Sequence, residues 1–409
     1  MKNVVLITLD ACRKDVFGAY GNPNRLTPFM DSLADKSIRF TNVQAIGPYT
    51  QASFPGILTS SYYLDFGWHK QCPPERVLVS EVLKKSGVAT AAFHSNPYLS
   101  GYFGWNRGWD LFMDSMQDRI TPKVPFLKGD KVNQRAEAWL SSRAKDKNNR
   151  PFFLWIHYMD VHEPYIPPPK YLQMVNPALD LNDDEMFGLF KEVVLKRDVS
   201  DPENIRVLKQ LYDAHVREVD DYVKEFFSIL EKLALLEDTA VILTSDHGDE
   251  FNEHGGLSHD STMYSELVDV PLLIYEPHRA QGETCDQLIS NVDIPPTITH
   301  LMDVHPHEKW AGRSILPISE YYERGCFGEA IGKKGQGEVK VKTEVHYYRE
   351  GNLKIIYREA GDIWEMYDLD KDPGEGNNVV SKSAQFQMMK SKVIQRLRRA
   401  EKWAEEAGS

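Results

Sequence analysis

The sequence predicts an α/β fold, in which a large, mainly parallel sheet lies between layers of helices and a smaller antiparallel sheet follows, with a terminal helix. Two observations carry this prediction. Over roughly the first 300 of the 409 residues, short apolar runs alternate with helix-like segments, which is typical of parallel strands joined by helices. Closer to the C-terminus, segments of alternating polarity are joined by tight turns, which indicates antiparallel pairing.

The strands predicted for the large sheet are short and almost wholly apolar. Val4-Val5-Leu6-Ile7-Thr8-Leu9 shows no alternation of polarity, so it is expected to be buried on both faces. The predicted strands are 3–9, 88–94, 152–157, 239–244 and 270–275. Apolar residues at helical spacing predict helices between them. These helices are 28–36, 51–60, 80–86, 131–144 and 205–236.

The change of pattern predicts two units, an α/β domain over residues 1–305 and a C-terminal α+β subdomain over 306–409. The polar stretch 168–204 is predicted to be an irregular insertion at the rim of the first unit. It either shapes the access of substrate to the site or is a surface loop without a role there. In the second unit, Glu350-Gly351-Asn352 is a hairpin turn. The strands predicted there are 326–331, 339–349, 353–357 and 364–367, and a helix over 384–404 follows.

Charge and composition exclude several kinds of partner. The 48 basic and 60 acidic residues give a net charge of −12, which disfavours nucleic-acid binding but still permits a small anionic substrate in a local pocket. We find no apolar stretch long enough to span a membrane, and we expect no leader peptide, because the first predicted strand begins at residue 3. The cysteines show no metal or disulfide spacing, so we expect a cytoplasmic protein. A second copy of the chain, docked on a sheet edge, is a candidate partner.

A metal site is predicted where two apolar strands end. Asp10 follows the first strand, and Asp246 and His247 follow the strand over 239–244. Ligands bind beyond the carboxyl ends of parallel strands, so these side chains are expected to meet. Mixed oxygen and nitrogen ligands favour Mn²⁺ or Zn²⁺, with Mg²⁺ or Ca²⁺ as alternatives. The competing interpretation is that both aspartates only cap helices.

Thr50 is the candidate nucleophile, and it is also a candidate metal ligand. It follows a turn and precedes a short apolar helix, which places it near the helix N-terminus, where anions are favoured. A hydroxyl attacks efficiently only when a base or a metal lowers its pKa. The alternative is that Thr50 is only an N-cap.

Further polar residues follow other predicted strands and are candidates for substrate contacts. His162 and His259 are expected to bind anionic oxygens, and one of them to protonate the leaving group. His94 and Asn96 are expected to line the pocket. Asp160 is expected either to contact substrate or to bind a second metal. Loop histidines are also commonly solvated and inert.

These motifs, in this order, resemble the sulfatase branch of the alkaline phosphatase superfamily over nearly the whole chain. The most specific block is Ser245-Asp246-His247-Gly248, followed by His259 and then by Val270-Pro271-Leu272-Leu273-Ile274. The resemblance implies that family's α/β fold, a divalent metal and an ester-hydrolase activity. The other matching segments are 13–21, 26–30, 108–112, 264–266, 366–369 and 372–375, with Asn378.

The sequence departs from the sulfatases at the nucleophile. Sulfatases carry the motif Cys-x-Pro-Ser-Arg, in which the Cys, or a Ser in its place, is oxidised to formylglycine. The hydrate of that aldehyde attacks sulfate. Counting back from Thr59 places Thr50-Gln51-Ala52-Ser53-Phe54 at this motif, without its arginine. Oxidation of threonine gives a ketone, so an ordinary formylglycine mechanism is not expected. Asp246-His247, in place of the Asp-Asn common in Ca²⁺-dependent sulfatases, points to a transition metal.

We therefore predict a metal-dependent hydrolase of phosphate diesters or phosphonate monoesters that uses Thr50 as its nucleophile. Relatives in the superfamily with this chemistry include phosphodiesterases and phosphonate hydrolases. One alternative is a sulfuric ester hydrolase that acts without formylglycine. Others are a soluble phosphoryl or phosphoglycerol transferase, and a scaffold that has lost activity.

Overall fold

An eight-stranded sheet forms the centre of the structure, a computed structural model that describes residues 3–66, 71–114, 120–143, 150–259, 262–279, 281–331 and 344–407. In chain order the strands of the first unit are β1 (Asn3–Leu9), β2 (Ser37–Gln44), β3 (Ala89–Phe93), β4 (Leu111–Met113), β5 (Phe152–Tyr158), β6 (Thr239–Ser245), β7 (Glu250–Phe251), β8 (Leu257–Ser258), β9 (Leu272–Tyr275) and β10 (Glu283–Ser290). The order across the large sheet is β10-β2-β9-β6-β1-β5-β3-β4, while β7 and β8 form a separate ribbon. Strand β9 is antiparallel to both neighbours, and the other described pairs of the large sheet are parallel.

Helices cover both faces of this sheet. They are α1 (Pro28–Ala34), α2 (Thr50–Thr59), α3 (Val79–Lys85), α4 (Gly129–Arg143), α5 (Pro169–Val175), α6 (Asp183–Phe190), α7 (Pro202–Lys232), α8 (Ser265–Val268) and α9 (Ile294–Leu301). The long helix α7 begins with Asp201 as N-cap, whose side chain accepts a hydrogen bond from the N–H of Glu203. Within the described ranges, no helix is long and apolar enough to cross a bilayer.

Strand β1 shows why its apolar run has no alternation. Side chains on a strand point to opposite faces in turn, and Val4 and Leu6 join the core cluster that contains α2 and α9. Val5 and Ile7 join the cluster on the other face, which contains α7. All seven residues of β1 are buried, so both sides of the strand contribute to the core. The predicted helix-covered sheet is confirmed.

The C-terminal region forms a second, antiparallel sheet. Its strands are β11 (Cys326–Ile331), β12 (Glu344–Glu350), β13 (Leu353–Arg358) and β14 (Ile363–Asp368), in that spatial order, and helix α10 (Phe386–Ala407) packs on them. The hydroxyl of Tyr347 donates to the carbonyl of Ala45 at 2.7 Å, which joins this sheet to the first unit. The prediction of a separate antiparallel sheet and a terminal helix is confirmed, although the first part of the predicted strand 339–349 lies outside the described residues.

The stretch 168–204 was predicted to be irregular, and this was wrong. It contains α5, α6 and a π-helical turn over Lys191–Leu195. Helix α6 begins with a capping box in which Asn182 and Glu185 bond each other's backbone N–H groups. The many exposed polar residues obscured the helical spacing. Two further points stay predictions: that this stretch is an insertion at the rim, and that the boundary between the two units lies at 305/306.

Candidate active site

Three neighbouring strands of the large sheet bring the candidate residues together. Strand β1 lies between β5 and β6 and is parallel to both, with Leu9 opposite Tyr158 on one side and Ser245 on the other. Asp10 and Asp246, which directly follow β1 and β6, therefore leave the sheet at the same edge. The predicted meeting of Asp10, Asp246 and His247 is found in the structure.

The backbone after Asp10 is shaped to hold these carboxylates side by side. Ala11 has a φ of 55°, a left-handed conformation that costs free energy for a residue with a Cβ and is commonly found at functional sites. Its N–H points to Asp246 and donates to Oδ1 at 3.2 Å. Gly248 lies so close to α8 that a Cβ would stand 2.0 Å from the carbonyl oxygen of Glu266. A glycine after His247 is therefore required for this close approach.

Each of the two carboxylates has one oxygen with hydrogen-bond partners and one without. Asp10 Oδ2 accepts from His157 Nε2 at 3.0 Å and from Asn96 Nδ2 at 2.9 Å. Asp246 Oδ1 accepts from the N–H groups of Ala11 and His247. Among the described residues, Asp10 Oδ1 and Asp246 Oδ2 have no hydrogen-bond partner, although both are buried. Buried oxygens of this kind need a partner, and a cation supplies one.

The third candidate ligand atom is Nε2 of His247, which lies 3.5 Å from both unpaired oxygens. Nδ1 of the same ring donates to the carbonyl of Gly248 at 2.9 Å. A carbonyl can only accept, so Nδ1 carries the proton and Nε2 of the neutral ring presents its lone pair. Two carboxylate oxygens and one imidazole nitrogen therefore converge, and this donor set fits a divalent transition metal.

The two aspartates differ in their pKa values. Burial alone would raise the pKa of Asp10, but the charge of His162 and the hydrogen bond from His157 outweigh burial and hold it well below its usual range. Burial, followed by the charge of Asp10, raises the pKa of Asp246 well above its usual range. Two adjacent buried carboxylates repel one another, so a divalent cation between them would favour the ionised form of both.

Thr50 is the first residue of α2 and lies directly at this cluster. Its Oγ1 is 3.4 Å from Asp10 Oδ2 and 3.5 Å from His247 Nε2, and it accepts from Asn96 Nδ2 at 3.3 Å. The residue before it, Tyr49, has extended backbone angles and makes no side-chain cap. Thr50 is buried but lines a cavity, so its hydroxyl faces both the candidate metal ligands and space for a substrate.

His162 and His259 both line this cavity, and their rings are in edge-on contact, with centroids 4.9 Å apart. Nδ1 of His259 lies 2.7 Å from Oδ1 of Asp249, and the hydroxyl of Tyr165 donates to Oδ2 of the same carboxylate. Burial would lower the pKa of His162, but the charges of Asp10 and Glu163 outweigh it and raise that pKa. His162 is therefore suited to carry a positive charge next to an anionic ester.

The cavity has a volume of about 270 Å³ and mostly apolar walls. Its described lining contains two histidines, one carboxylate and two amides, but no lysine or arginine. The lining residues are Tyr49, Thr50, Gln51, Asn96, Pro97, Tyr98, Pro125, Phe126, Met159, His162, Glu163 and His259.

Two predicted site residues lie elsewhere. His94 is buried in an aromatic cluster, with its ring stacked on Trp155 at 5.0 Å, and burial lowers its pKa well below the usual range. Asp160 is fully buried, 3.5 Å from Nζ of Lys128, and its Oδ1 accepts from the N–H of Gly129. Neither side chain lines the described cavity, whereas Asn96 does. In this structure, His94 contributes to the core and Asp160 to a buried charge cluster.

Two residues at the site were not identified from the sequence. His157 lies inside the apolar strand β5, where a histidine is easily taken as core, and it bonds Asp10. His157 stands two residues after Trp155, so both side chains point to the same face of the strand. This spacing is the signal in the sequence that could have identified His157. Asp249 follows Gly248 and bonds His259. Its signal was its place two residues after the metal-ligand pair.

Comparison with known proteins agrees with this geometry. The sulfatase family model matches residues 2–304, and a model of the C-terminal region of N-sulphoglucosamine sulphohydrolase matches 252–402. The N-acetylglucosamine-6-O-sulfatase of Bacteroides thetaiotaomicron is 23% identical, over 98% of this chain and 86% of its own. An arylsulfatase of Clostridium perfringens is 22% identical, over 93% and 90%.

The solved structures that resemble this one include enzymes that act on phosphorus. The crystal structure of a phosphonate monoester hydrolase of Agrobacterium radiobacter has a TM-score of 0.78 and 20% identity, and the match covers 98% of this chain and 96% of that one. At this level of sequence identity, the structural similarity shows that the two proteins share a fold. The family model, however, covers most of the chain. This protein therefore belongs to the sulfatase family, whose members are ester hydrolases.

Proposed function

We propose that the protein is a metal-dependent hydrolase of phosphate diesters or phosphonate monoesters, with Thr50 as its nucleophile. The observation that carries the proposal is the position of the Thr50 hydroxyl, within 3.5 Å of Asp10 Oδ2, His247 Nε2 and Asn96 Nδ2. These three contacts hold Oγ1 at the floor of the cavity. A residue that only capped a helix would direct its oxygen to the backbone N–H groups of its own helix.

Sulfatase-family enzymes bind a divalent metal, and Asp10, Asp246 and His247 are the candidate ligands here, with Thr50 beside them. Bound there, Mn²⁺ or Zn²⁺ would lower the pKa of an adjacent hydroxyl and offset the negative charge on the ester oxygens. The neutral ring of His247 and the ionised Asp10 are in the protonation states that such an ion requires. These features favour a transition metal over Ca²⁺, which prefers oxygen ligands alone.

The charges around the cavity favour a substrate with a single negative charge. Its described lining has no lysine or arginine, and its fixed negative charge is Glu163. A divalent metal bound there would already be balanced by Asp10 and Asp246. The remaining positive charge would come from His162, whose pKa is raised. A phosphate diester or a phosphonate monoester carries one negative charge, whereas a phosphate monoester carries up to two.

The side chains of the site have complementary roles in this mechanism. Oγ1 of Thr50 would attack phosphorus from the floor of the cavity, and Asn96 would hold that oxygen in place. His162 would bind a non-bridging oxygen, and His259, oriented by Asp249, would protonate the departing alkoxide. Water would then hydrolyse the phospho-threonine and restore Thr50.

A sulfate monoester, also singly charged, is the second candidate substrate. The curated relatives described above are sulfatases, and the same pocket would accept this ester with Thr50 in place of formylglycine. A cytoplasmic location remains part of the proposal, and the four cysteines, which are buried and unpaired, are consistent with it.

A panel of p-nitrophenyl esters tests this proposal. The metal-loaded enzyme is assayed on the sulfate, the phosphate monoester, the bis-p-nitrophenyl phosphate and the phenylphosphonate ester. We expect kcat/KM to be highest for one of the two singly charged phosphorus esters and lower for the phosphate monoester. A sulfate turnover higher than that of every phosphorus ester would favour the second candidate and contradict the first.

A further inference from the structure

A buried chain of hydrogen bonds runs from the core to the candidate metal ligand Asp10. The indole Nε1 of Trp155 donates to Thr8 Oγ1 at 3.0 Å, and that hydroxyl lies 2.8 Å from Nδ1 of His157. Nε2 of His157 lies 3.0 Å from Asp10 Oδ2. Each of these four residues is fully buried. The chain is a direct result of strand register, because Thr8 on β1 lies opposite His157 on β5.

The two ends of this chain restrict the directions of its bonds. An indole can only donate, so Thr8 Oγ1 accepts at that point. The Thr8 hydroxyl then has two acceptors within range, His157 Nδ1 at 2.8 Å and the carbonyl of Ile156 at 3.4 Å, and the first is closer. At the other end, an ionised carboxylate can only accept. His157 therefore carries its proton on Nε2 and donates to Asp10.

This bond decides which oxygen of Asp10 remains for a cation. His157 and Asn96 both donate to Oδ2, whereas Oδ1 has no partner among the described residues and lies 3.5 Å from His247 Nε2. Without His157, the carboxylate could rotate or share its oxygens differently. The ring of Phe54, from the helix that begins with Thr50, packs edge-on against His157 at 5.1 Å and limits its movement.

We propose that His157 is a positioning residue that fixes the Asp10 carboxylate for the metal, and that Thr8 and Trp155 fix the tautomer of His157. The inference rests on the metal centre of the proposed function and does not depend on which ester is cleaved. Partners of this kind around metal ligands typically contribute 10- to 100-fold to metal affinity. His157 does not line the substrate cavity, so its effect is expected on metal binding first.

Metal affinity, measured on stripped full-length protein by competition with a chromophoric chelator for Zn²⁺ and for Mn²⁺, tests this role. His157→Phe keeps a buried ring but removes the donor, and we expect affinity to fall about 10- to 100-fold. His157→Gln retains an N–H donor and should recover most of the loss. Tyr158→Phe is the matched control. It removes a buried hydrogen bond to Asn133 on the opposite face of the same strand, and it should bind metal like the wild type.

Thr8→Val is the second test, for use in particular if His157→Phe does not fold. It preserves side-chain shape but removes the hydroxyl that fixes the tautomer, and we expect weaker metal binding with a wild-type circular dichroism spectrum. Wild-type affinity in folded His157→Phe, or in Thr8→Val, would overturn the proposal. A stripped wild type with no affinity for either ion would instead overturn the metal centre itself, and the two failures are therefore distinguishable.

Discussion

Nδ1 of His259 lies 2.7 Å from Oδ1 of the buried Asp249 carboxylate, and Tyr165 holds the other oxygen of that carboxylate. Asp249 and His259 are ten residues apart in sequence, Tyr165 comes from a distant segment, and of the three only the imidazole lines the described cavity. A carboxylate that accepts from one ring nitrogen fixes the orientation of the ring and stabilises its protonated form. In the proposed mechanism, Asp249 would therefore prepare His259 to donate a proton to a leaving group.

Asp249→Asn is expected to lower activity in a way that depends on the leaving group. Proton donation matters most when the departing oxygen is strongly basic. We expect kcat to fall on the order of 10²-fold for a phenyl ester, within the usual range for general acid catalysis, and much less for a p-nitrophenyl ester. The measurement is kcat for a series of aryl esters with leaving groups of increasing pKa.

Tyr165→Phe is the matched control, since it keeps the bond between Asp249 and His259 and removes only the hydroxyl that donates to Asp249. Its losses should be smaller than those of Asp249→Asn for every ester in the series. Equal losses for good and poor leaving groups in Asp249→Asn would mean that His259 is not the proton donor.

Removal of the metal is expected to abolish turnover, because Asp10 and Asp246 then face each other without a cation. Activity should return with Mn²⁺ or Zn²⁺ and not with Ca²⁺, since His247 supplies a nitrogen ligand. Asp246→Asn should lose at least 10-fold in metal affinity, because an amide oxygen brings no charge. Chelator titration and elemental analysis check both expectations. Full activity after exhaustive chelation would contradict them.

The buried ion pair of Lys354 and Glu375 is expected to stabilise the junction between the two sheets. Nζ and Oε1 are 2.9 Å apart with both side chains fully buried, and Glu375 also accepts from the N–H of Ser265 at the start of α8. Glu375→Gln leaves a buried charge without a partner, which costs about 3–5 kcal/mol. Urea unfolding measures this change in the free energy of unfolding.

An exposed pair provides the comparison. Lys371 is 83% exposed beside Asp368, so Lys371→Ala should change the free energy of unfolding by less than about 0.5 kcal/mol. If Glu375→Gln proved as mild as Lys371→Ala, the buried pair would have no special part in holding the sheets together.

His215 is expected to make folding stability fall in mild acid. Burial, and then the charge of Lys128, lower the pKa of His215 to about 4, against about 6.5 in an unfolded chain. Below pH ~6.5 this imidazole becomes protonated in the unfolded chain, whereas in the folded chain it stays neutral down to about pH 4. The free energy of unfolding therefore falls as the pH drops across this window. The slope from this group is at most about 1.4 kcal/mol per pH unit.

His215→Gln isolates this contribution, because an amide can replace both hydrogen bonds, to Glu218 and from the N–H of Ile166, without titrating. Thermal unfolding between pH 7 and 4 should show a flatter profile for His215→Gln than for the wild type. Parallel profiles would show that His215 does not contribute.

The core and the candidate metal ligands were predictable because both follow local rules. Apolar runs such as β1 have a single stable environment, between two layers of helices, and the residues that end them must meet at one edge of the sheet. Asp10, Asp246 and His247 were identified in this way. The proposed nucleophile, Thr50, also needed the resemblance to the sulfatase motif, through its spacing to Thr59, since a threonine before a helix is common.

The remaining features depend on contacts that a single sequence does not specify. Strand β9 is antiparallel to its neighbours, which only the path of the chain after α8 determines. Asp160 follows a strand as Asp10 does, yet its side chain pairs with Lys128 and accepts from the N–H of Gly129 and does not line the described cavity. His157 required the pairing of β5 with β1, because its partner Thr8 is distant in sequence.

The identity of the nucleophile is the central claim, and intact mass after reaction with bis-p-nitrophenyl phosphate tests it most directly. Metal-loaded wild type, Thr50→Ser and Thr50→Ala are mixed with the ester, quenched in acid and weighed, with turnover measured in parallel. We predict a nitrophenyl-phosphoryl adduct on the wild type and on Thr50→Ser, and neither adduct nor turnover in Thr50→Ala. Unchanged turnover in Thr50→Ala would contradict the account, since another group would then attack the ester.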